Sequence, residues 1–161
     1  MTPAAALPPF QRLVTEHAGA VTGFLRGMVG VDDAEDCAQE TFIAALRAYD
    51  GFDGRHPRAW LLAIARRKAL DLRRAGARRP EPVGGVESLP APELADRLDP
   101  GIWGEVAGLP EKQRAALLLR YGLDLRYREI GSVLGCSEAA ARRSAHEGIT
   151  KLRAERAEEV A

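Results

Sequence analysis

Residues 125–153 restrict the fold of this chain most strongly, because they read as two helices separated by a three-residue turn. The first helix has an apolar stripe at helical spacing, formed by Tyr127, Ile130, Val133 and Leu134. Gly135 follows that stripe and is expected to end the helix in the left-handed conformation. Ser137 can then cap the free amides of the next helix. The segment therefore predicts a helix-turn-helix in which Gly135, Cys136 and Ser137 form the turn.

The second helix of this pair has one side for packing and one side for solvent. Its inner side is made of small and apolar residues, Ala141, Ala145, Ile149 and Leu152. Its outer side carries Ala139, Arg142, Arg143, His146, Glu147 and Thr150. Because the small residues allow close packing, Arg142 and Arg143 could reach base edges or phosphates in a DNA groove. The alternative is a plain helical hairpin whose charged side is solvated.

Charge is balanced over the whole chain but segregated along it. The 161 residues contain 23 Lys and Arg and 23 Asp and Glu, so the formal net charge is +0. Acidic residues crowd one short stretch, at Asp32, Asp33, Glu35, Asp36 and Glu40. Basic residues dominate a later one, at Arg55, Arg58, Arg66, Arg67, Lys68, Arg73, Arg74, Arg78 and Arg79. Any contact with DNA must therefore come from local patches, because no uniformly basic surface is available.

Several classes of protein find no support in the composition. Two cysteines, Cys37 and Cys136, do not make a disulfide scaffold, and the three histidines lack metal-ligand spacing. We find no phosphate-binding glycine loop and no nucleophile motif, so we expect no enzyme activity, no cofactor and no bound metal. The N-terminus does not resemble a signal peptide, and no stretch approaches the ~20 apolar residues of a membrane span. We expect a cytoplasmic, reduced protein.

Helical periodicity without strand patterns predicts an all-α chain of two small domains joined by a flexible linker. The first domain, residues 1–75, has three to four helices. The first helix ends at Gly30 and the third begins at Pro57. Asp32 or Asp33 can cap the second helix. The third helix has an inward stripe of Leu61, Ile64, Ala65, Ala69 and Leu72.

Residues 76–101 differ from the rest of the chain in composition. They are rich in proline and glycine and mostly acidic after Arg79, which is typical of a linker. A weak helix is expected between Leu94 and Leu98. The second domain, residues 102–161, adds helices at 102–107 and 110–121 to the helix-turn-helix.

The outer surface of the third helix is a second basic element. Arg66 and Arg73, and likewise Arg67 and Arg74, lie seven residues apart and flank Leu70, which predicts two rows of charge suited to a phosphate backbone. The loop before it contains Phe52, Asp53, Gly54, Arg55, His56 and Pro57, and Trp60 opens the helix. Aromatic and cationic groups together can hold unpaired bases. The alternative makes Trp60 a core residue and the arginines a source of solubility.

Four runs together resemble one family. They are DAEDCAQETF at 33–42, FDGRHPRAWLLAIAR at 52–66, LPEKQR at 109–114 and YREI at 127–130. In this order they are similar to the extracytoplasmic-function (group IV) sigma factors of the sigma-70 family of bacterial RNA polymerase. The resemblance covers nearly the whole chain except the linker. It implies a sigma-2-like N-terminal domain and a sigma-4-like C-terminal domain, hence a factor that binds core polymerase, recognises two promoter elements and promotes DNA melting.

The resemblance also implies a role for three sets of residues. The second helix would bind the clamp coiled coil of the largest polymerase subunit through Asp33, Glu35, Asp36, Gln39, Glu40 and Ile43. The minus-ten element would be bound, and its non-template strand held open, by Asp53, Gly54, Arg55, His56, Arg58, Trp60, Arg66, Arg67, Arg73 and Arg74. The minus-35 duplex would be read by Arg126, Arg128, Ser137, Glu138, Arg142, Arg143 and His146.

The expected partners are core polymerase, at its clamp coiled coil and flap region, promoter DNA and an anti-sigma factor. The chain departs from the family pattern at Arg67, where Asn is frequent, and at residues 139–145, which read AAARRSA. These departures leave the preferred promoter bases open. An alternative of a different class is a stand-alone dimeric helix-turn-helix regulator.

Overall fold

The computed structural model describes residues 6–76 and 100–161, and all regular structure in these two segments is helical. The first segment contains α1 (Phe10–Val29), α2 (Val31–Ala48), a 3-10 turn (Tyr49–Gly51) and α3 (Pro57–Gly76). The second contains α4 (Pro100–Ala107), α5 (Glu111–Leu117), a π-helical turn (Leu118–Gly122), α6 (Tyr127–Leu134) and α7 (Glu138–Val160). The predicted all-α class is confirmed. The predicted linker falls almost entirely outside the described residues, as does the weak helix between Leu94 and Leu98.

A single residue, Gly30, joins α1 to α2. Its φ of 90° lies in the region that favours glycine, and its N–H donates to the Arg26 carbonyl at 3.0 Å. The prediction that Asp32 or Asp33 caps α2 is wrong, because the helix already begins at Val31 and no side chain caps it. Both carboxylates lie in the first turn of α2 instead, where their negative charge interacts favourably with the positive end of the helix dipole.

The three N-terminal helices pack against one another around the predicted apolar stripes. Phe24, Leu25, Leu61 and Leu62 are fully buried. The prediction for Leu72 is wrong, because its side chain is 36% exposed near the end of α3, beyond the part of that helix that α1 and α2 cover. The other four members of the predicted α3 stripe are buried.

The C-terminal helices form a second bundle, in which α7 packs on both α5 and α6. Close approach is possible because Gly148 of α7 is buried against Leu117. The two bundles also touch each other, since α3 packs along α6 and α1 packs against α4 and α5. Buried residues of both segments consequently form one continuous apolar cluster.

Candidate nucleic-acid interface

One face of α2 is polar and exposed while the other is buried. Ala34, Cys37, Ala38, Thr41 and Ala45 face the core. The predicted polymerase-binding residues all lie on the exposed side: Asp33, Glu35, Asp36, Gln39, Glu40 and Ile43. Two large apolar side chains extend this face, since Ile43 is 51% and Leu46 is 57% exposed. Leu46 is not among the residues predicted from the sequence, although its position one turn after Ile43 was a usable signal.

The loop between the 3-10 turn and α3 is held by its own hydrogen bonds. The Asp53 carboxylate accepts from the Arg55 N–H at 2.8 Å, and the His56 carbonyl accepts from the Trp60 N–H at 3.0 Å. His56 has φ 49°, a value that non-glycine residues seldom adopt. This backbone leaves the side chains of Arg55 and His56 exposed at the start of α3.

Trp60 belongs to an aromatic cluster at the base of this loop. Its ring stacks on Phe52 with centroids 4.2 Å apart and planes at 20°, and Tyr49 lies 6.4 Å away. Phe10 of α1 meets Tyr49 edge-on at 5.2 Å. Trp60 is only partly buried. Trp60 therefore packs against Phe52 of the loop, and part of its surface is still exposed to solvent.

The arginines of α3 do not form the two free rows that the sequence predicts. Arg67, Arg73 and Arg74 are exposed, but only 12% of the Arg66 side chain is. Arg66 forms a bidentate pair with Glu111, with Nε to Oε1 at 2.7 Å and Nη2 to Oε2 at 2.9 Å. It also donates to the Leu134 carbonyl at 3.2 Å. The periodicity of α3 cannot reveal this, because both partners come from the C-terminal segment.

The predicted helix-turn-helix is confirmed, both in the backbone conformation of its turn and in the cap of its second helix. Gly135 ends α6 with φ 68°, and the Ser137 hydroxyl accepts from the Ala140 N–H at 3.1 Å. A Cβ at Gly131 would lie 2.7 Å from the Cys136 carbonyl oxygen, so only glycine lets the turn fold back this closely. These features fix the angle at which α7 leaves the turn.

The outer face of α7 carries the predicted minus-35 side chains. Ser137, Glu138, Arg142, Arg143 and His146 are all exposed. Arg142 lies 5.1 Å from the centroid of the Tyr127 ring and pairs with Glu138 at 3.4 Å. Arg143 makes no hydrogen bond or ion pair with any residue of the two described segments. It is therefore the more available of the two adjacent arginines.

One cleft brings two of the predicted sets together. A space of about 670 Å³ is lined by Arg55 and His56 of the loop and by Arg126 and Arg128 beside α6. Phe52 and Trp60 also line it. The cleft includes neither the α2 face nor the α7 residues from Glu138 onward. The predicted minus-ten loop thus lies across from the start of the predicted minus-35 reader.

Cys37 and Cys136 are the two thiols of the chain, and both lie among the described residues. Burial is the main cause that raises the pKa of Cys37 to about 11, with Glu40 and Asp33 adding to it, so this thiol stays protonated at neutral pH. Cys37 and Cys136 are both free. In the part of the chain that the structure describes, no three potential ligand side chains are grouped to hold a metal. No helix there is long and apolar enough to cross a bilayer.

Two protein-family models match the chain, one over the N-terminal helices and the other over the C-terminal helices. Sigma-70 region 2 matches residues 13–79, which includes most of α1 and all of α2 and α3. Sigma-70, region 4 matches residues 102–152, which includes the helix-turn-helix. The chain is 35% identical over 137 residues to the ECF RNA polymerase sigma factor ShbA of Streptomyces griseus subsp. griseus, over 74% of this chain and 70% of that protein.

A second sigma factor and a solved structure are also similar to this chain. Identity to the ECF RNA polymerase sigma factor SigE of Mycolicibacterium smegmatis is 34% over 159 residues, which is 92% of this chain and 62% of that protein. A solved structure of CnrH in complex with the cytosolic domain of CnrY has TM-score 0.69 and 28% identity, covering 90% of this chain and 85% of that one. The chain belongs to the extracytoplasmic-function sigma factors of the sigma-70 family. It is a sigma factor that binds RNA polymerase and DNA in transcription initiation.

Proposed function

We propose that this sigma factor divides its work between three surfaces. The exposed face of α2 binds core polymerase, the loop before α3 together with α3 binds the minus-ten element, and α7 reads the minus-35 element. One observation supports this proposal most strongly. Each of the helices α2, α3 and α7 exposes side chains of the kind that its proposed partner would bind. In the cytoplasm, where we place its activity, polymerase and promoter DNA are both present.

The α2 face offers a basic helix both charge and apolar area. Carboxylates of Asp33, Glu35, Asp36 and Glu40 supply the charge, with the Gln39 amide among them. Ile43 and Leu46 supply apolar area at the centre of the contact, where truncation of a buried anchor is most costly. Such a surface suits the clamp coiled coil that the family resemblance indicates. The flap region is the proposed contact of the C-terminal bundle.

The minus-ten element is bound by an ordered loop beside a basic helix. The internal hydrogen bond of Asp53 and the left-handed turn of Gly54 and His56 hold the loop in one shape, which supports capture of an unstacked base. Exposed Arg67, Arg73 and Arg74 continue along α3 and can follow the phosphate backbone. DNA melting by this route needs no covalent chemistry.

The minus-35 duplex is read by α7 in the major groove. Ser137 and Glu138 begin the helix, and Arg143 and His146 follow on its exposed side. Alanines at 139–141 leave few side chains at the start of the helix, so Arg143 is expected to carry much of the base discrimination.

An anti-sigma protein is a further proposed partner. CnrH was solved with the cytosolic domain of CnrY, which shows that a relative of this fold accepts a second protein. Exposed Ile43 and Leu46 give this chain an apolar patch that such a partner would cover.

Capture of core polymerase tests the α2 assignment. Tagged wild-type chain is expected to retain core polymerase, whereas Leu46→Asp and Ile43→Asp should weaken retention by about tenfold or more, because a charge would enter an apolar contact. Leu72→Asp is a matched control, since Leu72 is also an exposed leucine but lies on α3. Equal retention by the Leu46 variant and the control would contradict the assignment.

A further inference from the structure

Tyr127 is a meeting point of three elements in the C-terminal bundle. It is the first residue of α6 and is half-buried, with its ring packed against the apolar cluster. The guanidinium carbon of Arg120, in the π-helical turn, lies 4.6 Å from the centroid of the Tyr127 ring. The guanidinium carbon of Arg142, on α7, lies 5.1 Å from the same centroid. The ring therefore contacts one cation from the element before α6 and one from the helix after it.

Arg120 and Arg142 differ in how firmly the structure holds them. Arg120 is half-buried and donates from Nη1 to the Leu125 carbonyl at 3.1 Å, so its guanidinium is fixed beside the ring. Arg142 is exposed, and it contacts the Tyr127 ring and the Glu138 carboxylate, the latter at 3.4 Å. A cation is attracted to the negative face of an aromatic ring. The ring thus favours one position of an exposed side chain that would otherwise sample many rotamers.

Both contacts hold the Arg142 guanidinium toward the N-terminal end of α7 and the start of α6. Glu138 lies one turn before Arg142, and Tyr127 begins the first helix of the helix-turn-helix. When this motif binds DNA, its first helix crosses the sugar-phosphate backbone while the second lies in the major groove. A guanidinium that is held beside the first helix therefore faces the backbone and not the base edges.

The charges around Tyr127 also suit a phosphate group. Four arginines either contact its ring or adjoin it in the chain: Arg120, Arg126, Arg128 and Arg142. Two carboxylates, those of Glu129 and Glu138, oppose these four cations. The excess of positive charge attracts the DNA backbone. A planar guanidinium that lies over a ring can still donate its N–H groups to a phosphate oxygen.

We propose that Tyr127 is a positioning residue that holds Arg142 for a phosphate of the minus-35 duplex and leaves base reading to the adjacent Arg143. The inference rests on the proposed minus-35 role of α7 and deepens it. Two neighbouring arginines of one helix would then have different tasks, because phosphate contacts fix the register of a protein on DNA whereas base contacts specify the sequence.

Selection from a duplex library with a randomised upstream segment tests these two tasks, with the full-length chain bound to core polymerase. Arg142→Gln is expected to weaken binding uniformly over the selected sequences. It should also make the slope of log K against log salt shallower by about 0.9, as the loss of one phosphate contact requires. Arg143→Gln is the matched control and should relax selection at one base position. Relaxed selection at one position by Arg142→Gln would overturn the proposal.

Substitution of the ring tests Tyr127 itself. Tyr127→Leu and Tyr127→Met keep apolar bulk but remove the ring, and each should weaken duplex binding by about two- to fivefold. Tyr127→Phe keeps the ring and should retain the wild-type affinity. Circular dichroism identifies which variants keep the native helix content, and one folded variant without the ring is sufficient. Loss of helix content in both would overturn a positioning role in favour of a structural one.

Double variants separate positioning from a merely structural effect. In the Arg142→Gln background, Tyr127→Leu should cause no further loss of affinity, because the side chain that the ring positions is already gone. In the Arg143→Gln background the full loss should persist. Equal losses in the two backgrounds would overturn the proposal. Failure of the proposed function would look different, since the wild-type complex would then select no upstream sequence beyond what core polymerase selects alone.

Discussion

Arg114 is a buried cation in the centre of the molecule. It is 6% exposed, and its guanidinium donates to the carbonyls of Met28, Ala107 and Leu109. Burial is the main cause that lowers the pKa of Arg114 to about 10, with the charge of Arg73 adding to it and Glu111 opposing it. The side chain remains charged at neutral pH. Three carbonyl oxygens in a region of low water content thus depend on one residue.

Arg114→Met is expected to destabilise the chain strongly. Methionine fills similar space but leaves buried carbonyls without donors, which should lower the free energy of unfolding by about 3–5 kcal/mol. Urea denaturation followed by circular dichroism measures this value. Arg156→Met is the control, because its exposed pair with Glu105 should contribute less than about 1 kcal/mol. Equal losses in the two variants would contradict the structural role of Arg114.

Protonation of His17 makes the free energy of unfolding depend on pH. Burial lowers the pKa of His17 from its ordinary 6.5, and the charge of Arg58 lowers it further while Glu16 raises it. Because the folded state binds the proton more weakly than the unfolded state does, this contribution to stability is present above pH 6.5 and is lost as the pH falls below that value.

His17→Gln should remove that dependence. Wild type is expected to lose more stability than the variant between pH 7 and pH 5, as urea midpoints at matched ionic strength will show. Two parallel curves over that interval would mean that another group causes the acid sensitivity.

At the level of single elements, Gly131 decides whether the helix-turn-helix can close. Gly131→Ala would place a Cβ 2.7 Å from a backbone oxygen, and backbone moves less readily than a side chain. We expect a loss of about 1–3 kcal/mol in stability and weaker binding to duplex DNA. Gly104→Ala is the matched control, since a Cβ there would have no neighbour within 4 Å. Thermal unfolding of both variants measures the difference, and equal melting temperatures would refute the steric argument.

The sequence predicts individual elements well where their causes are local. The left-handed Gly135 and the Ser137 cap were predictable, because a turn depends on residues adjacent to it. The start of α3 at Pro57 has the same kind of cause. The cap of α2 was mispredicted by a few residues, because helix boundaries compete with the preceding turn at Gly30.

The candidate site was predictable only in part. Periodicity placed the α2 face and the outer side of α7 on the surface, and the exposed side chains confirm that placement. Arg66 and Arg67 look equivalent in the sequence, yet one is paired inside an interface and the other is exposed. The difference comes from Glu111, 45 residues away, and no single-helix pattern contains that information. Which bases each element reads stays a prediction.

For the whole molecule, the packing of the two bundles against each other places the proposed binding surfaces relative to one another. One cleft brings the proposed minus-ten loop and the start of the proposed minus-35 reader together. The α2 face is exposed on the side of the helix that does not pack against the core. The proposed polymerase-binding face is therefore accessible while the two bundles are packed together.

The most direct test of the central claim is to map transcript 5′ ends made in vitro from the genomic DNA of the source bacterium. Core polymerase with this chain should produce discrete start sites that share two upstream elements. Arg143→Ala should capture polymerase normally yet lose roughly 5- to 150-fold output, equivalent to about 1–3 kcal/mol of base discrimination, at sites that depend on the minus-35 element. Transcript ends identical to those of core polymerase alone would contradict the account.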